Sequence, residues 1–301
     1  MALISAIITT FNRERFLEAA IRSVASQTCR DVELLVLDNS SSDGTEALVE
    51  RLREPRLRYV RHPPLTIAAA RNLGLGMAQG EFVAFLDDDD EWLPTKLERA
   101  IAAFRGARAD VALVYSGFTW VDERGVAMGT HRPRLRGRVL TALLQQRDPF
   151  TGSASNPMIR AAALRALGGF NEALATSEDW ELYLRLAERY EVEFVPEALV
   201  RIRAHRHARL GDRIDDARKV EELVLARYGP RMNAPLRSLY LRKIGGKLCR
   251  TGALREGRSR IGQAIRLDPL NPLGYAQYGL SFLGREAYGR VHTVYRRLRS
   301  G

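Results

Sequence analysis

The sequence predicts an α/β fold: a mostly parallel central sheet with helices on both faces, followed by a C-terminal helical appendage. Three observations predict it. Short apolar runs alternate with segments of helical periodicity through roughly the first hundred residues. Runs such as LISAIIT and FVAFL are mostly apolar, as strands covered on both faces are, and do not alternate in the manner of half-exposed strands. From about Asp212 the strand signal ends and helical periodicity continues alone.

The elements follow in order. Residues 3–9 read as a first buried strand, and Thr10 to Arg13 as a turn. Residues 14–27 place Phe16, Leu17, Ala20, Ile21 and Val24 at helical spacing. ELLVLD (33–38) is a second strand, closed by the polar turn Asn39 to Gly44 and a helix to about Arg53. Residues 57–60 form a third strand, 67–78 a helix, 82–86 a fourth strand and 96–104 a helix. Strands are expected at 111–116 and 155–159, with a short helix at 161–167 stopped by Gly168-Gly169 and a stronger helix over 177–188. Residues 122–137, rich in Arg, Gly and Pro, read as a mobile loop. Residues 252–272 are similar to one tetratricopeptide helix pair, too little for a repeat array. The final stripe of Tyr288, Val291, Val294, Tyr295 and Leu298 has arginines mainly elsewhere around the helix.

The totals bound the function. The chain has 301 residues and a net charge of +11. Residues 235–301 hold 14 basic and 3 acidic side chains, so the remaining 33 basic and 33 acidic residues of 1–234 balance. A neutral body with a basic end seeks an anionic partner. An anionic membrane surface and a solvated helix packed on the body are both open readings of it. Nucleic acid is not expected, because no RNP-type aromatic pattern, zinc-finger spacing or helix-turn-helix is present. The two cysteines, 220 residues apart, give no disulfide framework and make a reducing cytoplasm the default. No apolar run reaches 18 residues, and residues 1–10 read as a strand and not as a signal peptide.

The chemistry concentrates at the carboxyl ends of the predicted strands, where open α/β sheets bind ligands. The fourth strand runs into Asp87-Asp88-Asp89-Asp90. Adjacent carboxylates repel unless something offsets them, and Mg²⁺ or Mn²⁺, which takes one or two carboxylates with phosphate oxygens and water, does so. A solvated acidic turn capping the next helix is the competing reading. Asp38 ends the second strand, where its carboxylate can accept from a base N–H or ribose hydroxyls, while Asp43 or Ser42 caps the following helix. Glu178-Asp179 opens a helix, and a capping box from Thr176 to Asp179 is the local alternative there.

Four blocks in order carry a resemblance: AIITTFNR (6–13), ELLVLDNSSSDGT (33–45), AARNLGLGMAQGEFVAFLDDDDEWLPTKLE (69–98) and GGFNEALATSEDWELYLRL (168–186). Together they resemble glycosyltransferase family 2 over roughly residues 3–205. The resemblance implies the GT-A fold, a nucleoside-diphosphate sugar donor and inversion at the anomeric carbon. It divides the chain into a nucleotide-sugar-binding half (1–110), an acceptor-binding half (111–211) and the basic appendage (212–301). By resemblance Thr9 and Asp38 contact the nucleoside and Arg71 approaches the diphosphate. Asp87 and Asp89 match an Asp-x-Asp element with Asp88 between them. Asp89 is then the direct metal ligand, and Asp87 lies near ribose and the metal shell. Bidentate pairing with phosphate independently suits Arg71; an ion pair with the acidic loop is its alternative. Asp179 resembles the general base, with Glu178 positioning the acceptor or the base. His205, in the basic run RIRAHRHAR, is a candidate to complete the metal shell, against a plain surface loop. Asn156 is a weaker candidate for the acceptor pocket, and Trp92 is set aside as a packing residue.

The resemblance further implies a UDP-linked donor, with dTDP and GDP as alternatives, and a glycan or lipid-linked acceptor in envelope or exopolysaccharide synthesis. The cysteine usage and the basic appendage point to a cytoplasmic enzyme, with a peripheral place at the inner membrane face as one reading. A sugar-nucleotide nucleotidyltransferase is a second reading, disfavoured because no glycines follow the first strand. A non-catalytic scaffold that binds membranes is a third.

Overall fold

Strand β1 (Ile4–Thr10) has parallel neighbours on both sides: β2 (Val32–Asp38), which in turn pairs with β3 (Leu57–Arg61), and β4 (Phe82–Asp87). Between these strands run α1 (Glu14–Ala25), α2 (Thr45–Leu52) and α3 (Ile67–Met77). The computed structural model describes residues 3–145, 150–204 and 214–291. It divides into two units, Met1–Ala208 and Arg209–Gly301.

Local sequence explains the first half. All of β1 except Thr9 is buried, and so is all of β2 except Glu33, as their apolar runs require. Helix α1 buries Leu17, Ala20, Ile21 and Val24, the face its periodicity predicted. Asp43 serves two helix starts at once. Its carboxylate accepts from the backbone N–H of Glu14 at 3.1 Å and of Thr45 at 3.2 Å, satisfying orphan donors of α1 and α2.

After β4 come the two-residue β5 (Glu91–Trp92), α4 (Lys96–Gly106) and β6 (Val111–Val121). Residues 122–137 are not simply a loop. They contain β7 (Ala127–His131), which pairs antiparallel with β6. Its residues are exposed apart from half-buried His131, so no alternating apolar pattern betrays it. Helix α5 (Leu140–Gln145), β8 (Met158–Arg160), α6 (Ala161–Ala166), α7 (Glu178–Arg189) and β9 (Glu191–Arg203) complete the unit. The strand expected at 155–159 starts later, because Ser155 and Asn156 spend their polar groups on β4, β5 and β6 neighbours. The strand order is β3-β2-β1-β4-β8-β6-β9-β5, and parallel ladders carry most of the pairing.

The second unit is helical: α8 (Ile214–Tyr228), α9 (Ala234–Thr251), α10 (Leu254–Leu267) and α11 (Pro272–Leu280), then a 3₁₀ turn over Ser281–Leu283. Asn233 and Asn271 cap α9 and α11 by accepting from Leu236 and Leu273 backbone N–H groups. Helices α9 and α10 meet at glycines. A Cβ on Gly257 would stand 2.5 Å from Cys249 Sγ and 2.8 Å from the Gly245 carbonyl. Of the terminal stripe, Tyr288 is buried with Cys249 and Ile261, whereas Val291 is exposed; Val294, Tyr295 and Leu298 lie outside the described residues. Among the described residues no helix is long and apolar enough to cross a membrane.

Candidate active site

Sheet register brings the predicted residues to one edge. Thr10 is opposite Asp38, Thr9 is opposite Asp87, and Asp38 is opposite Arg61, so four adjoining strands deliver polar side chains to their carboxyl ends. Thr9 is half-buried there.

The four aspartates after β4 do not act as one cluster, because each has its own partner. Asp87 pairs with Arg71 at 2.7 Å, Asp88 accepts from the Thr10 hydroxyl at 2.8 Å, and Asp89 pairs with Arg13 at 3.1 Å. Asp90 is buried and accepts from Ser155 Oγ (2.6 Å), Ser153 Oγ (3.1 Å) and the backbone N–H of Arg203 (2.8 Å). Asp90 therefore clamps the turn to β9. Arg203 adds a bond to the Asp89 carbonyl and an ion pair to Glu91. Burial, with Asp89 beside it, pushes the Asp88 carboxyl up to about 7. Burial, with Asp87 and Asp89 close by, also raises Asp90 well above the usual carboxylate range.

Asp38 is fully buried. One oxygen accepts from the backbone N–H and hydroxyl of Ser41, and the other from the Tyr59 hydroxyl. Burial and this bond to Asp38 hold the Tyr59 phenol above its ordinary range. Each carboxylate oxygen has two acceptor directions, so the oxygen facing Tyr59 retains capacity. Phe11 stands exposed in the loop between β1 and α1. Asn12, the next residue, accepts through Oδ1 from the Ser42 backbone, tying that loop to the one after β2.

Arg71 is the central cation. It is 3% exposed and bonds Asp87 through one terminal nitrogen and Glu178 through the other, with its guanidinium 5.5 Å from the Phe170 ring centroid. Burial disfavours its charge, but Asp87, Glu178 and Asp179 outweigh this and raise its pKa. The ion pair that the sequence left open for Arg71 is thus present, with Glu178 as an additional partner. The Thr176–Asp179 capping box is absent. Ser177 occupies the N-cap position at φ 58° without a side-chain cap bond, and Thr176 Oγ1 is buried without a partner. Asp179 accepts instead from the Trp180 backbone at 2.7 Å. Burial and Glu178 push the Asp179 carboxyl up to about 6, against the pull of Arg71. Left-handed backbone at Asn12, Ser40 and Ser177 falls in the loop after β1, the loop after β2 and the start of α7, and strain of this kind gathers where geometry is over-determined.

Residues not anticipated complete the picture. Thr10, Arg13 and Arg203 meet the acidic turn, Tyr59 meets Asp38, and buried Tyr183 follows Asp179 by one helical turn. An Arg beyond the first strand opposite a four-aspartate run was the available signal for Arg13. Asn156 is buried and saturated by Ser116 and Thr151, which makes it structural. Trp92 is packed, with its indole N–H on the Ser155 carbonyl.

Asp87, Asp88 and Asp89 present hard oxygen donors at one strand end, the donor chemistry of Mg²⁺ or Mn²⁺. Among the described residues no three His, Cys, Asp or Glu side chains converge into a metal cage. The residues fit a cation held by one or two carboxylates and completed by phosphate and water. Burial is the main cause of the raised Asp88 carboxyl, with Asp89 adding to it, and a cation bound there would favour the ionised form of Asp88. His205 lies outside the described residues.

Comparison of folds gives the class first. The chain is similar to Staphylococcus aureus TarS 1–349 solved with UDP, at TM-score 0.65 and 20% identity over 99% of this chain and 92% of that one. It is also similar to the mannosyltransferase PcManGT of Pyrobaculum calidifontis solved with GDP-Man and Mn²⁺, at TM-score 0.62 and 18% identity over 99% and 82%. These likenesses establish a GT-A glycosyltransferase fold. The family follows from sequence: the glycosyl transferase family 2 model matches residues 5–168, and the chain belongs to that family. A relative, the Escherichia coli UDP-Glc:alpha-D-GlcNAc-diphosphoundecaprenol beta-1,3-glucosyltransferase WfaP, is 35% identical over 102 residues, 34% of this chain and 41% of that protein. The match to the first curated relatives likewise spans only 34% of their length.

Proposed function

We propose that the protein is an inverting, divalent-metal-dependent glycosyltransferase. It moves a sugar from a UDP-linked donor to a hydroxyl of a lipid-linked or glycan acceptor in envelope or exopolysaccharide synthesis, working at the inner face of the membrane. One observation carries this reading. Arg71 holds Asp87, on the donor side, and Glu178, the neighbour of Asp179, through one guanidinium. The donor-side carboxylate and the residue next to the base are thereby tied together. The UDP donor and undecaprenol-diphosphate acceptor named for WfaP, the UDP in the TarS structure and the Mn²⁺ in the PcManGT structure support the finer assignment.

Thr9 and Asp38 take the nucleoside end of the donor, with the exposed Phe11 ring offering a stacking surface. Asp89 and Asp87 would hold the cation, with Asp88 supporting them from Thr10 and Arg71 available to the diphosphate. When bound, the metal neutralises charge on the departing diphosphate. The acceptor hydroxyl gives its proton to the Asp179 carboxylate as its oxygen bonds to C1 of the sugar from the face opposite the diphosphate. The C1–O bond breaks with its electron pair staying on the diphosphate. Glu178, held by Arg71, positions Asp179.

A thermal-shift screen of UDP, GDP and dTDP with and without Mn²⁺ tests the reading, since a ligand that binds only the folded state raises Tm. UDP with Mn²⁺ should give the largest shift and chelation should abolish it. No shift with any nucleotide, with or without metal, would overturn the proposal.

A further inference from the structure

The second unit leaves an aromatic row uncovered. Tyr275 and Tyr278 lie three residues apart on α11, and Phe282 follows four residues later in the 3₁₀ turn. Tyr275 is 52% exposed and Phe282 62%, and Tyr278 is also exposed. The Tyr278 and Phe282 rings meet edge to face at 5.4 Å. An exposed apolar row of this kind is costly in water and marks an interaction surface.

Helix α10 lies along this row with arginines. Arg255, Arg258 and Arg266 share one face with Gly262, at offsets of three and four residues. Gly262 lies under the Tyr278 ring, where a Cβ would stand 3.8 Å from Cε2. Arg258 stacks 4.8 Å from the Phe282 centroid and donates to the Ser281 carbonyl at 3.1 Å. Arg255 and Arg266 are exposed. Cations therefore border the aromatic row.

We infer that residues 254–283 dock the protein onto an anionic lipid bilayer, with Tyr275, Tyr278 and Phe282 entering the interfacial layer and Arg255 and Arg266 meeting anionic headgroups. Tyrosine side chains suit the interface, apolar on the ring and polar at the tip. Basic residues near an anionic leaflet add further attraction. Two alternative occupants fit less well. A second copy would bring like charge against like, since residues 235–301 carry 14 basic and 3 acidic side chains. Single-stranded nucleic acid needs open ring faces to stack upon, and the Phe282 face is covered by Arg258. This inference rests on the lipid-acceptor reading above and names the surface that serves it.

Flotation of the full chain with phosphatidylcholine vesicles, and with vesicles containing phosphatidylglycerol, tests the inference. Binding is expected to the anionic vesicles only and to weaken as salt rises. The triple variant Tyr275→Ser/Tyr278→Ser/Phe282→Ser should lose about tenfold or more in partitioning, and Arg255→Glu/Arg266→Glu a similar factor. Donor hydrolysis should be unchanged in both. If the triple variant misfolds, Leu270→Ser/Leu283→Ser serves, because Leu270 is 93% exposed and Leu283 also projects from the surface. Wild-type binding by every variant would overturn the surface assignment. So would binding to an RNA homopolymer without vesicle binding, or self-association abolished by the triple variant. Absence of donor hydrolysis in the wild type with vesicle binding intact would instead overturn the enzymatic reading alone.

Discussion

In the acidic turn of residues 87–90 every carboxylate has a partner of its own: Arg71, Thr10, Arg13, or the Ser153–Ser155 and Arg203 backbone set. In residues 235–301 fourteen basic side chains stand against three acidic ones, and the aromatic row beside them is exposed. The first region gives each carboxylate a defined partner, which is what a site that holds a small ligand in one geometry requires. Among the described residues of the second, Arg255 and Arg266 and the rings of Tyr275 and Phe282 face outward, which suits a broad, non-stereospecific partner. Carboxylates each with a partner in the one case, and exposed cations beside exposed rings in the other, distinguish the proposed chemistry from the proposed attachment.

Substitutions in the first region should cost far more than substitutions in the second. The largest expected effect is on turnover: Asp89→Ala should lower transfer by about 100- to 1000-fold, with metal dependence lost, as measured by initial rates over a Mn²⁺ titration. Arg71→Met comes next. It leaves two carboxylates facing one another without a cation and should cost about 3 to 5 kcal/mol in urea unfolding. Asp90→Ala removes three bonds and orphans the Arg203 N–H, so about 2 to 3 kcal/mol should be lost.

The smallest effect runs the other way and sharpens the contrast, because buried Lys96 has no hydrogen-bond or carboxylate partner for its charge among the described residues. Lys96 is buried with its Nζ unbonded, 3.9 Å from the Trp92 ring centroid, and burial lowers its pKa to about 7. A folded pKa depressed below the unfolded value penalises folding as the pH falls from the ordinary lysine range toward 7, and no further below that. Lys96→Met should therefore stabilise by about 1 to 2 kcal/mol at pH 7. The advantage should shrink toward pH 10 in paired urea melts. An equal advantage at both pH values would show that Lys96 is not the cause.

The parallel half of the sheet was legible because β1, β2 and β4 are mostly apolar and buried, and the acidic run was legible because it starts at the last residue of β4. What escaped the sequence was non-local or unpatterned. Strand β7 is almost wholly exposed and carries no apolar rhythm. The pairing of Asp88 with Thr10 and of Asp89 with Arg13 spans 78 and 76 residues, a distance that only the β1–β4 register closes. Thr176, Glu178 and Asp179 matched a local capping pattern, yet the left-handed Ser177 turned that pattern away from the helix end. Local rules named the residues; the sheet decided which of them meet.

The most direct test of the central claim, that Asp179 is the base in a site shared with the donor, is the pH profile of transfer by the wild type and by Asp179→Asn at equal donor occupancy. With its carboxyl pushed up to about 6, the wild type should gain activity as pH rises through that value, because only the ionised form accepts a proton. Asp179→Asn should bind the donor normally, transfer about 100-fold or more slowly, and lose the acidic limb. Undiminished transfer by Asp179→Asn with the same limb would contradict the account.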